Sequence, residues 1–402
     1  MRASSAANTG DADAQARTAG RDALSLALID ARNRTLRWLA RFEAAGTLAG
    51  AGLPGDPVPL HMAGRAGWLQ EWWIARNVHR LRAEVAGAGG PRLPGIEAGF
   101  DEVFGTPADA ARLPVLPGVD EVRGYLLATL EQTLDLLATC PPDDEALAVY
   151  RWVLQHEDRL CEAFAVAAQA LGTAPGEAAS PQGPAPSRPQ REPLWIPAQR
   201  FTVGSAGPGW VPPAERGGLE EAIPDFEIDA QAVSWARFAE FVDDGGYDRE
   251  ALWQPASWEW LQAQQRRAPR HVEQLRGGVL ATRFGVTQRV AGAQPVVHVS
   301  WHEADAWCRW AGRRLPAEPE WELAACTARS RGFAWGDVWE WVAGTARPWP
   351  GAPAWPAAGG PPRRVLRGAS SWTAPRAVHV RQRRFVDAAR DGLFCGFRSC
   401  AA

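Results

Sequence analysis

Apolar residues recur at helical spacing through the first 170 positions and fall into shorter, denser groups afterwards, so two kinds of architecture are expected. Leu24, Leu26, Ile29, Leu36, Leu39 and Phe42 mark a first helix over 21–45, which Gly46 stops. A second amphipathic run spans 60–81 with Trp68, Leu69, Trp72, Trp73 and Ile74, a third covers 119–139, and a fourth covers 143–171 with Asp143 and Asp144 at its N-terminal end. Four such helices in about 150 residues predict an up-and-down bundle.

The pattern then stops. Residues 172–194 hold Pro, Ala, Ser and Gly with almost nothing large to bury, which predicts a linker between a domain over 21–171 and another over 195–402. In the second domain PVVHVSW (295–301) reads as a buried strand, and HEADAWCRWAG after it places Ala304, Trp307, Cys308 and Ala311 on one helical face. Gly312 turns the chain, and Glu318-Pro319-Glu320 opens a further helix with acidic groups in its first turn. The expected class is α+β. Residues 1–20 read as a polar tail, and the Pro/Gly-rich loop over 348–362 as a lid or a loose tip.

Charge and composition narrow the chemistry. The 402 residues carry a formal net charge of -3, so no basic field exists to collect phosphates, and neither nucleic acid nor an anionic membrane is expected as a partner. Every basic residue among the 43 is arginine, which removes a Schiff-base amine and a Walker lysine from consideration. The six cysteines show no CxxC pairing and are expected as free thiols. The acidic, polar start and the lack of a long apolar run predict a soluble, cytoplasmic protein.

Three motifs in order, GDVWEW (336–341), RRVLRGAS (363–370) and GFRSC (396–400), together with the 295–341 stretch, resemble the formylglycine-generating-enzyme-type domain, a variant of the C-type lectin fold. Ahead of it, GWLQEWWIARN (67–77) and LQHEDRLCEA (154–163) resemble the DinB-like bundle of the ergothioneine sulfoxide synthase and selenoneine synthase family. The loop over 98–116, with RLPVLP and no paired basic residues for γ-glutamylcysteine, is closer to the selenoneine branch.

That resemblance implies a non-haem iron(II) oxygenase that joins sulfur or selenium to the imidazole of hercynine, with a hercynine-like betaine and a thiol or seleno-sugar donor as small-molecule partners. It also implies iron held by one His of the second helix and a His-x-x-x-His pair of the fourth, since residues four apart share a helical face. His156 matches the first of that pair, Leu160 occupies the second, and Arg65 stands where the second-helix His is expected, with His61 one turn earlier. A set built from His61, His156 and Glu71 or Glu157 would be a substitute metal triad.

For the betaine the resemblance points to Trp339, Trp372 and Phe385 as aromatic faces, with Asp387, Arg384 and Arg390 as charged partners; ion pairs and core packing are the competing reading of each. A copper-dependent formylglycine-generating activity is not expected. Cys395 and Cys400 are present, but VRQRRFVD, where a catalytic cysteine would fall, has none. Two functions therefore stand: an oxygenase of this type, or a lapsed relative that binds a betaine or a partner protein without redox chemistry.

Overall fold

The computed structural model describes residues 16–53, 55–82, 90–105, 115–176, 184–218, 220–349 and 362–402. Residues 1–15 of the expected tail over 1–20, the central part of the loop over 98–116, the middle of the linker and most of the loop over 348–362 lie outside the described residues. Two compact units divide the chain. The first comprises Met1–Pro181, Gly207–Trp210 and Thr373–Ala377, and the second comprises Gln182–Ala206, Val211–Trp372 and Val378–Ala402.

The first unit is helical: α1 (Arg21–Ala44), α2 (Pro59–Gln70), the short α3 (Phe100–Phe104), α4 (Val119–Ala138) and α5 (Asp144–Leu171). Leu24, Leu28, Ala31, Ile74, Leu137, Leu147, Tyr150 and Leu154 form a buried core between them. The ends follow capping chemistry. Asp143 accepts from the Ala146 amide at 2.9 Å to start α5, and Gly172 closes it at φ 69, a left-handed position that glycine fills without strain.

Two details depart from the periodicity. On α1 the inward face is carried by Leu24, Leu28, Ala31, Trp38, Leu39 and Phe42, whereas Leu26 is 71% exposed and Ile29 also faces outward. The second run does not continue as α-helix to residue 81, because Glu71–Ala75 widens into a π-turn and Arg76 ends it. The segment over 99–105 packs close to α2: a Cβ at Gly64 would lie 2.1 Å from the Phe104 ring.

The second unit mixes helices with small sheets. Strands β1 (Leu194–Ile196), β4 (Phe226–Ile228), β13 (Cys400–Ala401) and β8 (Arg313–Arg314) form one sheet in that order. A second runs β11 (Arg383–Val386), β10 (Arg364–Gly368), β9 (Trp339–Trp341) and β12 (Cys395–Phe397), with β9 and β12 parallel. A ribbon of β2 (Gln199–Thr202) and β3 (Glu220–Ile223) and a three-stranded sheet of β5 (Val272–Gln274), β6 (Val279–Arg283) and β7 (Val286–Val290) complete it. Helices α6 (Trp235–Asp243), α7 (Pro255–Gln264) and α8 (Trp301–Trp310) bury an aromatic core with Trp235, Trp307, Trp339, Trp341 and Phe397, while α9 (Glu318–Thr327) packs Trp321 and Leu323 into a second core with Ile228, Phe333 and Val365.

The stretch over 295–301 is not a strand. Val296 and Val299 are fully buried, as the apolar pattern demands, but His298 between them adopts φ 64, which breaks an extended run, and Ser300 already caps α8. Burial alone does not make a ladder. All six cysteines are free thiols.

Within the linker, residues 184–193 are held by the second unit. The Arg188 amide donates to Ala293 O at 3.0 Å, Gln294 donates to Ala185 O at 2.8 Å, and Arg188 makes a two-pronged pair with Asp337.

Candidate functional site

In the helical unit, α2 and α5 bring forward the residues expected to bind metal. His61 is buried, donates from Nε2 to the Val103 carbonyl at 3.1 Å and packs on Phe104 with ring centroids 5.6 Å apart. One turn on, the Arg65 guanidinium donates to the Phe104 carbonyl and covers the Trp68 ring at 5.6 Å. His156 on α5 is half-buried and stacks on Trp152 at 6.0 Å; Trp152 in turn meets Trp73 edge-on at 4.8 Å.

Burial and neighbouring cations favour the neutral form of both imidazoles. Burial, followed by the Arg159 and Arg65 cations, pulls the His156 pKa down to about 4. Burial also lowers His61, and Arg65 adds to that effect against the Val103 hydrogen bond.

The carboxylates of this region face other partners. Glu157 accepts from Arg32 Nε at 2.8 Å, from Arg32 Nη2 at 3.2 Å and from the Thr35 hydroxyl at 2.8 Å. Glu71 accepts the Ile96 amide at 2.6 Å on one oxygen and the Tyr125 hydroxyl on the other. Asp158 takes Arg376 on both oxygens, at 2.7 and 2.9 Å, with Arg34 at 3.4 Å; Arg376 lies in the Thr373–Ala377 segment that belongs to this unit.

Iron(II), which the family resemblance implies, can be tested against this donor set. A facial triad needs three converging nitrogen or oxygen ligands. Leu160 has no lone pair, Arg65 is a cation, and the oxygens of Glu71 and Glu157 are already engaged. Among the described residues no group of three His, Cys, Asp or Glu side chains is placed to hold a metal ion. The residues present do not fit the group, and the substitute set of His61, His156 and a carboxylate is not assembled.

The sheet unit distributes the expected betaine residues over four places. Trp339 is fully buried on β9, and the Arg384 guanidinium of β11 covers its ring at 4.8 Å. Phe385, also on β11, is half-buried beside Arg383, whose guanidinium lies 4.8 Å from its ring. Asp387 and Arg390 share the turn after β11, where Asp387 Oδ1 accepts from the Ala389 amide at 2.8 Å and the Arg390 amide donates to Asp387 O at 3.1 Å.

Trp372 belongs to a separate aromatic cluster. Its ring stacks on Phe394 at 5.4 Å and meets Phe284 at 5.2 Å, while Phe394 also contacts His298 at 5.1 Å and His298 meets His271 at 4.9 Å. His271, Phe284 and His298 all have positive φ, which non-glycine residues adopt only where their surroundings enforce it. Burial lowers His271 to about 4 and His298 to about 3, and each imidazole depends on that desolvation first.

Sequence reasoning passed over Phe284, Phe394, His271 and His298. The signal available was a lone His inside an apolar run, but its partners come from positions far apart in the chain. Glu303 was also passed over. Its carboxylate caps α8 through Ser300 and accepts the Tyr247 hydroxyl at 2.6 Å, and burial pushes its pKa up to about 7.

Residues 179–337 match the FGE-sulfatase family, the Sulfatase-modifying factor enzyme 1-like domain. The chain is 29% identical over 436 residues to the Hercynine oxygenase of Mycolicibacterium smegmatis, covering 94% of this chain and 98% of that one. The Hercynine oxygenase of Mycobacterium tuberculosis is likewise 29% identical, over 93% of this chain and 97% of its own length. The Formylglycine-generating enzyme of Streptomyces coelicolor is 36% identical over 177 residues, 40% of this chain and 56% of that protein. The similarity to hercynine oxygenases thus runs through both units, while the similarity to formylglycine-generating enzymes is partial.

Proposed function

We propose that this chain acts on a hercynine-like betaine. The observation that carries the reading is the similarity to hercynine oxygenases along 93–94% of the chain, through both the helical and the sheet unit. In this reading residues 21–171 are a DinB-like bundle, 172–194 a connection, and 195–402 a C-type-lectin-like domain that recognises the betaine. Phe385 and Trp372 offer aromatic faces for the trimethylammonium group, and Asp387, Arg384 and Arg390 offer charge for it and for the carboxylate. The Trp339 and Phe385 rings each already face a guanidinium, of Arg384 and Arg383, so a trimethylammonium group at Phe385 would replace or share that cation.

The reaction class that goes with this reading is oxidative attachment of sulfur or selenium to the imidazole carbon, from a thiol or a seleno-sugar donor. A second reading, betaine binding without redox chemistry, is favoured by one specific observation: Glu157, Glu71 and His61 are engaged with arginine, hydroxyl and backbone partners. Both readings share the ligand.

Calorimetry therefore tests the common part first. Hercynine is expected to bind more tightly than histidine by roughly 3- to 30-fold, the equivalent of about 0.5–2 kcal/mol of cation–π contact. Equal affinity, or no binding of either, would remove the betaine from the proposal. Mass analysis of hercynine after aerobic incubation with cysteine or a seleno-sugar then separates the two readings.

A further inference from the structure

We infer that the helical unit of this chain holds no iron(II) and carries its positive charge instead on the Arg65 guanidinium, so that betaine binding is independent of metal. The betaine clause rests on the function proposed above; the metal clause does not.

The geometry supports this from each side of the region. His61 has committed Nε2 to the Val103 carbonyl, which leaves that ring a single nitrogen, Nδ1, for any other role. His156 supplies the other imidazole at a position where the resemblance expects a ligand, and two nitrogens leave a facial triad one nitrogen or oxygen donor short.

Carboxylate rescue is closed off. Releasing Glu157 would strand Arg32, which is fully buried and donates to both of its oxygens, and releasing Glu71 would strand the Tyr125 hydroxyl inside the helices. Releasing Asp158 would break the ion pairs of Arg376 and Arg34. Each of these moves leaves a buried donor or charge without its acceptor: Glu157 and Asp158 would loosen α1 from α5, and Glu71 would loosen the π-turn from α4.

Arg65 completes the picture. Its head is anchored on the Phe104 carbonyl and its guanidinium lies over Trp68, so the cation is held by the segment that also fixes His61. A divalent ion brought near the same two imidazoles would meet that fixed charge in a partly desolvated setting, where repulsion is least screened. A cation that is part of the covalent chain cannot be removed by a chelator.

Metal analysis of the full-length chain after anaerobic incubation with iron(II) and gel filtration tests the inference. No stoichiometric iron is expected in the wild type, and hercynine affinity should be the same with and without chelator. The double change Arg65→His with Leu160→His should retain iron, because it removes the cation and rebuilds an i, i+4 pair with His156. Arg65→Gln, which removes the charge but adds no imidazole, should retain none, and it stands as the second variant should the double change lose its helical circular dichroism.

Stoichiometric iron in the wild type that disappears in His156→Ala would overturn the inference. So would a folded double variant that takes up no iron, a stoichiometric uptake by Arg65→Gln, or a hercynine affinity that falls on chelation. Absence of hercynine binding altogether would sink the ligand reading while leaving the metal result intact.

Discussion

Each unit buries a glutamate on a helix, and the two are satisfied by opposite means. Glu157 on α5 faces the buried guanidinium of Arg32 and one hydroxyl, whereas Glu303 on α8 accepts from two hydroxyls and an amide. A neighbouring cation favours the ionised carboxyl, while burial without one favours the protonated form; at Glu303 burial leads, the Asp391 carboxylate adds to it, and the Tyr247 and Ser300 hydrogen bonds oppose it. That explains why the Glu303 pKa is pushed up to about 7. It also explains why a carboxylate at the right place in a metal-binding motif is not thereby a ligand: Glu157 neighbours His156 in sequence, yet its charge is balanced inside the fold.

The sharpest way to break this comparison is to remove Glu157. Glu157→Ala leaves the Arg32 guanidinium buried and unpaired, and a loss of roughly 3–5 kcal/mol in urea unfolding of the metal-free protein is expected. Were Glu157 a ligand awaiting metal, its removal would relieve crowding of charge and leave the metal-free protein as stable or more so. An unchanged urea midpoint therefore overturns the assignment of Glu157 to structure.

Glu303 sharpens the comparison through pH. Its folded pKa of about 7 lies above the ordinary value of 4.5, so the folded state holds the proton more tightly and unfolding releases it. Between those two values stability contributed by Glu303 falls as pH rises; below 4.5 it is fully present, and above 7 the deficit is constant. The stability difference between wild type and Glu303→Gln should shrink by roughly 3 kcal/mol from pH 4.5 to 7.5. His298, lowered to about 3, gives the opposite slope below its ordinary 6.5, but that slope is common to both proteins and cancels in the difference. A flat difference would mean that Glu303 is ionised throughout.

Much of this was legible from residue order, and the boundary of legibility has a physical cause. The four helices of the first unit followed from 3.6-residue spacing, and Arg65 and Leu160 stand at the two positions where the resemblance leads one to expect histidine. Leu26 and Ile29 misled because an apolar side chain on an exposed face carries the same letter as one in the core. PVVHVSW misled because burial and extension are separate properties, and His298 breaks the second without touching the first. What stayed hidden was contact between distant positions. Arg32 reaches Glu157 across 125 residues, Phe284 and Phe394 converge on Trp372, and Thr373–Ala377 joins the helical unit, none of which has a local signature.

The smallest effect comes from the connection, where charge again decides whether a carboxylate is a clasp. Composition alone predicts that 172–194 is open to protease throughout, yet over 184–193 the Arg188 side chain grips Asp337 with Nε–Oδ2 at 2.6 Å and Nη2–Oδ1 at 2.9 Å. Both side chains keep some solvent contact, at 35% and 17% exposure, so screening holds the pair to about 0.5–1 kcal/mol. Asp337→Asn keeps one acceptor oxygen but loses the charge, and local opening of this stretch should rise in proportion. Subtilisin cleavage within 184–193 is then expected to quicken by roughly 2- to 5-fold, with the urea midpoint nearly unmoved. Equal cleavage rates would mean that the backbone bonds of Ala185 and Arg188 hold the segment alone, and that here, unlike at Glu157, the arginine partner is incidental.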